Sequence, residues 1–175
     1  DSAEFAARKR VGLGLAFTDI PRAADAARFY REKAAEYGWQ PTPDMIIYQA
    51  AIYVGRTDEE AMETYRQYAG REGTSAGTAN RLVANAGFYG ERDMTTRMRY
   101  QNINAERTQT LESQVERGQS FCGSPETVFA QLERLREEVG AGVVNLIFNR
   151  PLPRDVYLPS MELFGKKVLP RMHEL

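Results

Sequence analysis

Three continuous apolar runs, each set between helix-like segments, constrain this fold more than any other feature of the sequence. They lie at residues 11–17, 44–54 and 143–148. Runs of this kind are typical of strands buried on both faces, because a half-exposed strand alternates apolar and polar residues. Strands that alternate with helices favour right-handed βαβ units and a parallel sheet. The sequence therefore predicts an α/β fold with about three parallel strands and flanking helices.

Helix signals separate these runs. The segment Thr57-Asp-Glu-Glu60 is a capping box, in which side chains satisfy the free N–H groups at the start of a helix. Ser124 and Pro125 are the N-cap and first residue of another helix. A short helix is predicted from Ser2 to Arg8. Prolines predict a loop over residues 151–159, before a last helix.

The segment from residue 71 to residue 119 departs from this alternation. It is polar, rich in arginine and punctuated by glycine, and it contains one or two predicted helices, at about 78–86 and 105–117. A long excursion inside a compact domain is usually functional or mobile. We therefore expect residues 71–119 to be the most mobile part of the chain.

Three strands make an incomplete barrel, since closed parallel barrels usually have about eight strands. The chain opens on Asp1 with a helix start, so that no strand precedes its first helix. We expect that an N-terminal part is missing. Because an incomplete sheet leaves strand edges exposed, we also expect this chain to be poorly stable alone or to associate.

Composition argues against several classes of protein. The formal net charge is −1, which does not favour a nucleic-acid binder. The only cysteine, Cys122, cannot form an internal disulfide. There is no apolar run of about 18 residues and no signal peptide, so a cytoplasmic location without membrane insertion is expected. No cysteine and histidine cluster has the spacing of a zinc site.

Few residues have the character of catalytic groups. The only histidine, His173, lies near the end of the chain, which argues against a Ser-His-Asp or Cys-His nucleophile within it. Cys122 precedes a helix N-terminus, where it is either a small half-buried residue or a thiol of lowered pKa. Ser2 is either a structural first-turn residue or an anion-binding group at a helix N-terminus.

Two further pairs of residues are candidates for a pocket. Gln49 and Tyr53 share one face of the second predicted strand, where they are either satisfied core residues or the lining of a cavity. Asn149 and Arg150 directly follow the last strand, at the end where the sites of βα-barrels lie. They are either solvated turn residues or ligand contacts.

Five short motifs, in order along the chain, resemble those of luciferase-like flavin-dependent monooxygenases. They are Ser2-Ala-Glu-Phe-Ala-Ala7, Tyr53-Val-Gly-Arg-Thr-Asp-Glu-Glu-Ala61, Gly123-Ser-Pro-Glu-Thr-Val128, Ala141-Gly-Val143 and Phe164-Gly-Lys-Lys-Val-Leu-Pro170. Residues 71–119 match this pattern least and fall where the family has a long segment over the active site.

The resemblance implies that residues 1–175 are the C-terminal portion of one (β/α)8 TIM barrel. It implies reduced FMN, supplied by a flavin reductase, and the transfer of one oxygen atom from O2 to a small organic substrate. Ser2 is carried over as a contact of the flavin phosphate, and Gln49, Tyr53, Asn149 and Arg150 as the substrate pocket. The catalytic residues and the substrate stay open.

Two alternatives to this reading also stay open. The first is an oxidoreductase of the same fold that uses the deazaflavin F420. The second is a non-catalytic relative that binds flavin or another ligand. Members of the family are commonly dimers, so the resemblance also implies a homo-oligomer or association with the missing N-terminal half.

Overall fold

The computed structural model describes residues 2–16, 18–69, 110–148 and 152–173. These residues form one sheet of four parallel strands with helices beside it. The strands are β1 (Leu13–Ala16), β2 (Ile46–Val54), β3 (Ser120–Gly123) and β4 (Val143–Ile147). The helices are α1 (Ser2–Lys9), α2 (Ile20–Glu36), α3 (Asp58–Ala69), α4 (Leu111–Glu116), α5 (Pro125–Val139), α6 (Arg154–Lys167) and α7 (Leu169–Met172), and a 3-10 helix, Pro43–Met45, precedes β2.

Strand β2 is the centre of the sheet. Its residues 46–49 pair with β1, its residues 51–54 pair with β3, and its residues 47–51 pair with β4. A strand has two edges, and the β4 pairing overlaps both of the others. Strands β1 and β3 therefore lie one after the other along one edge of β2, and β4 lies along the opposite edge.

The three strands predicted at residues 11–17, 44–54 and 143–148 are confirmed, with slightly shorter bounds, and all are parallel. The sequence did not indicate β3. Its four residues, Ser-Phe-Cys-Gly, include no β-branched side chain and show no alternation, so Phe121 is its only strand-favouring residue and the local signal is weak. Its partner residues on β2 are about 70 positions away along the chain.

The outer edge of β3 is occupied by a side chain. The Cys122 backbone N–H donates to Oε1 of Gln131, at 3.1 Å, and Nε2 of Gln131 donates to the Cys122 carbonyl, at 3.2 Å. Gln131 belongs to α5, the helix that follows β3. Its amide therefore satisfies the backbone groups that a neighbouring strand would otherwise pair with.

The loop predicted for residues 151–159 is wrong beyond Pro153. Helix α6 begins at Arg154 and contains Pro159, which is exposed. A proline inside a helix costs one backbone hydrogen bond, and this favours a loop when only the sequence is considered. Here Ser160 and Phe164, which are both buried, hold the helix against the rest of the protein.

Part of the 71–119 segment lies outside the described residues, and so does the helix predicted at 78–86. The described end of the segment contains α4, which lies within the predicted 105–117 helix and is capped by the Thr110 side chain. None of the described helices combines the length and the apolar composition needed to cross a membrane.

One face of the sheet carries the main core. Alternate residues of β2, from Ile46 to Val54, belong to one buried cluster with residues of α1, α2, α5 and α6. Tyr48 is fully buried in this core, and its hydroxyl bonds the carbonyls of Thr18, at 2.7 Å, and Gly118, at 2.9 Å. Burial raises the pKa of Tyr48, so this phenol stays neutral and keeps its proton for these carbonyls.

Asp19 joins the start of α2 to the loop that precedes β3. Its carboxylate is fully buried and accepts a hydrogen bond from the Arg22 N–H, at 2.9 Å, as the N-cap of α2. It also accepts hydrogen bonds from Nε of Arg117, at 2.8 Å, and from a terminal guanidinium nitrogen of the same residue. The Arg117 carbonyl accepts from the Ile20 N–H at 2.9 Å, so the two segments are bonded through both backbone and side chains.

Among the residues that the structure describes, the other face of the sheet is only partly covered. Near the carboxyl ends of the strands, a second core covers it, formed by Tyr53, Ala61, Tyr65, Leu111, Cys122 and Leu152. Nearer the amino ends, Ile47 is 37% exposed and Val143, its partner in register, is 39% exposed. We call this uncovered part, formed by Gly14, Ala16, Ile47, Gln49, Val143 and Asn145, the open face.

The Asp19 contact generates a stability prediction. Asp19→Asn should lower the free energy of unfolding by about 1.5–3 kcal/mol, because it weakens charge-assisted hydrogen bonds to a buried carboxylate. Asp25→Asn is the matched control, since its pair with Arg28 is exposed on both sides, and it should cost only about 0–0.5 kcal/mol. Urea denaturation measures both values. Equal effects of the two substitutions would contradict the role given to Asp19.

Candidate active site

The carboxyl ends of the parallel strands lie at one edge of the sheet, and the candidate site is at this edge and on the open face below it. Helices α3 and α5 begin there, directly after β2 and β3. In parallel α/β folds, ligands bind at this edge because the loops and helix N-termini that follow the strands meet there. Between the open face and the edge, Ala51 and Tyr53 of β2 are packed in the second core.

Asp58 ties the N-termini of α3 and α5 together. Its Oδ1 accepts from the Ser124 N–H at 2.6 Å, and its Oδ2 accepts from the Thr127 hydroxyl at 2.9 Å. The Ser124 N–H holds the pKa of Asp58 below its usual range; burial opposes this to a smaller extent, and the Thr127 hydroxyl adds a further lowering effect. A carboxylate here also faces the positive end of α5.

Gly123 makes this contact possible. Its φ is 153°, and a Cβ at this position would lie 2.8 Å from Oδ1 of Asp58 and 2.7 Å from Cγ2 of Thr127. Any larger residue would push apart the motifs Thr57-Asp-Glu-Glu60 and Gly123-Ser-Pro-Glu-Thr-Val128, which are distant in sequence. The two motifs thus form one structural unit at the edge.

Two amide side chains cross the open face. Gln49 of β2 and Asn145 of β4 are partners in register, and Nδ2 of Asn145 donates to Oε1 of Gln49 at 3.0 Å. Gln49 is half-buried and Asn145 is exposed. The prediction placed Gln49 on a face that lines a pocket, and the structure puts it on the open face. Sequence reasoning missed Asn145, although an asparagine in the apolar run Val143–Phe148 was an available signal.

Tyr53 lies on the same side of β2 as Gln49 but inside the second core. It is only 8% exposed, and its ring stacks on that of Tyr65 with the centroids 6.2 Å apart and the planes 10° from parallel. Burial raises the pKa of Tyr53, with a smaller opposing effect of a hydrogen bond to Thr64. Tyr53 is therefore a neutral aromatic residue beneath α3 in this structure.

Cys122 is the register partner of Tyr53 and is also buried. Burial raises the pKa of its thiol to about 12, so it is protonated at neutral pH. Of the two readings of Cys122, the structure supports the small buried residue.

Ser2 is exposed at the first position of α1. Helix α1 ends at Lys9 and three residues connect it to β1, so the chain reverses and the N-terminus of α1 points toward the carboxyl edge of the sheet. The C-terminal end of α1 is fixed by Trp39, whose Nε1 donates to the Ala7 carbonyl at 2.8 Å. Asn149 and Arg150 lie outside the described residues.

Among the residues that the structure describes, no group of three or more histidine, cysteine, aspartate or glutamate side chains is placed to hold a metal ion. Besides the Asp58 carboxylate at the edge, the described site offers neutral hydrogen bonding on an apolar surface. The Ser2 hydroxyl, at the N-terminus of α1, lies toward the same edge of the sheet.

The sequence matches the profile of a known family. The family is described as luciferase-like monooxygenase, and the match covers residues 1–142. No curated protein matches the chain in sequence.

Solved structures share the fold. They include the monooxygenase RslO1 from Streptomyces bottropensis, with 22% identity, a TM-score of 0.68, and coverage of 98% of this chain and 45% of that one. The oxygenating constituent of 3,6-diketocamphane monooxygenase from Pseudomonas putida, in complex with FMN, has 21% identity, a TM-score of 0.60, and coverage of 97% and 45%. The coenzyme F420 dependent tetrahydromethanopterin reductase from Methanopyrus kandleri has 19% identity, a TM-score of 0.58, and coverage of 97% and 47%.

This chain spans less than half the length of these structures. Its parallel strands and flanking helices match part of their barrel, so the predicted fold class is confirmed.

The Asp58 contact predicts a pH dependence. Asp58→Asn should lower the free energy of unfolding by about 1 kcal/mol at neutral pH, because it weakens two hydrogen bonds at the start of α5. The pKa of Asp58 is lowered by folding, so its contribution is fully present above the ordinary aspartate pKa and is lost as pH falls through the lowered value. The difference between wild type and variant should therefore shrink in acid.

Urea titrations at several pH values measure this difference. Asp44→Asn is the control, since Asp44 is an exposed carboxylate in the 3-10 helix before β2, at the opposite edge of the sheet. A difference for Asp58→Asn that is the same at every pH would rule out the proposed hydrogen-bonded carboxylate.

Proposed function

This chain belongs to the luciferase-like monooxygenase family, and from that premise we propose that it is the C-terminal portion of a flavin-dependent monooxygenase. The proposed reaction transfers one oxygen atom from O2 to a small organic substrate, with reduced FMN supplied by a flavin reductase. The observation that carries the proposal is the family match over residues 1–142. The similar oxygenating constituent from Pseudomonas putida is described in complex with FMN.

The described residues fit a flavin. The four strands that form the open face and its surroundings contain no charged side chain, and Gly14 has no atom within 4 Å of the position that a Cβ would take. A flat, largely apolar ring could lie on such a surface. Its polar edge would meet the amides of Gln49 and Asn145, and its phosphate would meet Ser2 at the N-terminus of α1.

The protein's task in such a reaction is to bind, orient and exclude water, because FMN, when bound, itself supplies the activation of oxygen. Apolar residues of the open face, such as Ile47 and Val143, suit the exclusion of water. Gln49, Tyr53, Asn149 and Arg150 remain our proposed pocket residues. In the described structure Tyr53 is covered by the second core, so it would contribute there by supporting the wall of the pocket.

A second candidate function is favoured by the similarity to the F420-dependent reductase. In that case the chain would belong to an oxidoreductase that transfers hydride instead of oxygen. A non-catalytic flavin-binding relative is the third candidate.

One experiment separates the three. The protein is titrated with FMN and with F420, and the FMN complex is reduced without oxygen and exposed to isotopically labelled O2 with a panel of neutral ketones, aldehydes and sulfides. Mass spectrometry then detects any labelled product. Incorporation of one labelled atom supports the monooxygenase, oxidation of added reduced F420 coupled to reduction of a ketone or aldehyde to its alcohol supports the reductase, and FMN binding without turnover supports the non-catalytic relative.

The proposed role of Ser2 gives a sharper prediction. Ser2→Ala should weaken FMN binding by about 1.5–3 kcal/mol, since it removes about one charge-assisted hydrogen bond to the phosphate. Binding of riboflavin, which lacks the phosphate, should be unchanged. Quenching of flavin fluorescence measures both affinities.

Thr42→Ala is the control for Ser2→Ala. Thr42 is another exposed hydroxyl at a helix start, but it lies before β2, at the amino edge of the sheet. It should leave both affinities unchanged. Equal FMN affinity in the Ser2 variant and the wild type would remove Ser2 from the phosphate site.

A further inference from the structure

The amide pair of Gln49 and Asn145 is the one polar feature of the open face. In the same row of the sheet, Gln49 is also the register partner of Ala16, whose small side chain leaves the pair accessible from the β1 side. In the next row toward the amino edge, Ile47 and Val143 are exposed and apolar. A polar pair in an apolar surface predicts that whatever covers this surface has a matching polar group.

The hydrogen bond within the pair fixes what it offers to a ligand. Nδ2 of Asn145 gives one of its two hydrogens to Oε1 of Gln49. The Gln49 amide therefore keeps two N–H donors, and the Asn145 amide keeps its carbonyl acceptor and one N–H donor. If these groups are covered without partners, each costs about 1–3 kcal/mol. A ligand with a donor and acceptors side by side satisfies them.

The strands supply no charge that would neutralise a charged ligand group at this position. No residue of β1, β2, β3 or β4 carries a charge, so nothing in these strands would neutralise a carboxylate or phosphate lying on the pair. The complementary group is therefore neutral and has an N–H between carbonyl oxygens. A cyclic imide has this arrangement.

We propose that Gln49 and Asn145 together bind the imide edge of the flavin ring, where the N3–H lies between the C2 and C4 carbonyls. Asn145 accepts from N3–H through its carbonyl, and the free amide N–H groups of the pair donate to the flanking carbonyls. This inference rests on the proposed function, in that it requires a flavin-type ring. It applies equally to FMN and F420, because both rings carry the same imide edge.

The distance of the pair from the carboxyl edge of the sheet agrees with this assignment. Asn145 is two residues from the end of β4, which is about 7 Å at the usual rise per residue of a strand. Ala16, in the same row, is the last residue of β1. On β2, Ala51 and Tyr53 lie between the pair and the carboxyl edge and are packed in the second core, so a ring would reach the pair past the ends of β1 and β4.

The test uses FMN and FMN methylated at N3, which lacks the imide donor. Wild-type protein should bind FMN about 10-fold more tightly than the methylated form, because one hydrogen bond is lost and the methyl group obstructs the pair. Asn145→Leu and Gln49→Leu should each bind FMN about 10-fold more weakly than wild type. In Asn145→Leu the preference for FMN over the methylated form should largely disappear, whereas Gln49→Leu, which keeps the Asn145 acceptor, should retain most of it.

Gln40→Leu is the matched control, since it removes an exposed amide from the loop before β2, and it should leave both affinities unchanged. Circular dichroism and urea midpoints verify that each variant is folded, and Asn145→Ser provides a smaller change at the same place. If the wild type binds FMN and its methylated form equally, or if the Leu variants bind FMN as tightly as wild type, this inference is overturned while the proposed function stands. If the wild type binds neither FMN nor F420, both fail together.

Discussion

The fold depends on the backbone hydrogen bonding of β2. In the described structure the other three strands all pair with β2. A strand with both edges and one whole face engaged must be nearly free of polar residues, and residues 46–54 are apolar except for Gln49 and the tyrosines. Two interactions fix the surrounding segments. The Tyr48 hydroxyl and the Asp19 carboxylate both bond residues of the loop before β3. This loop places β3 beside the second half of β2, along the edge that also pairs with β1.

The features predicted from the sequence are those with local causes. Apolar runs and capping residues are local, so three strands and the starts of α3 and α5 are found where they were predicted. Strand β3 depends on a pairing partner far away in the sequence, and its local signal is weak. Helix α6 tolerates Pro159 because buried contacts of Ser160 and Phe164 outweigh a local penalty, which propensity alone does not include.

The sequence predicted part of the candidate site, as it predicted part of the fold. The alternation of β2 placed Gln49 on the correct face, because side chains of a strand alternate regardless of context. The same rule placed Tyr53 on that face, but it could not show that α3 and α4 cover Tyr53 and leave Gln49 accessible. The pairing of Asn145 with Gln49 could not be predicted, because it depends on the register between β2 and β4, which is a property of the folded chain.

The side chain of Gln131 on the edge of β3 has a consequence for the growth of the sheet. An exposed strand edge is a template to which other chains can add, which is how many proteins form fibres and swapped dimers. Along β3 the Cys122 backbone is already engaged by an amide from the same chain. Addition of a foreign strand there would first have to displace α5, a buried helix with six core side chains. Within the described sheet, the outer edges of β1 and β4 are therefore where further strands can join, whether from the same polypeptide or from another.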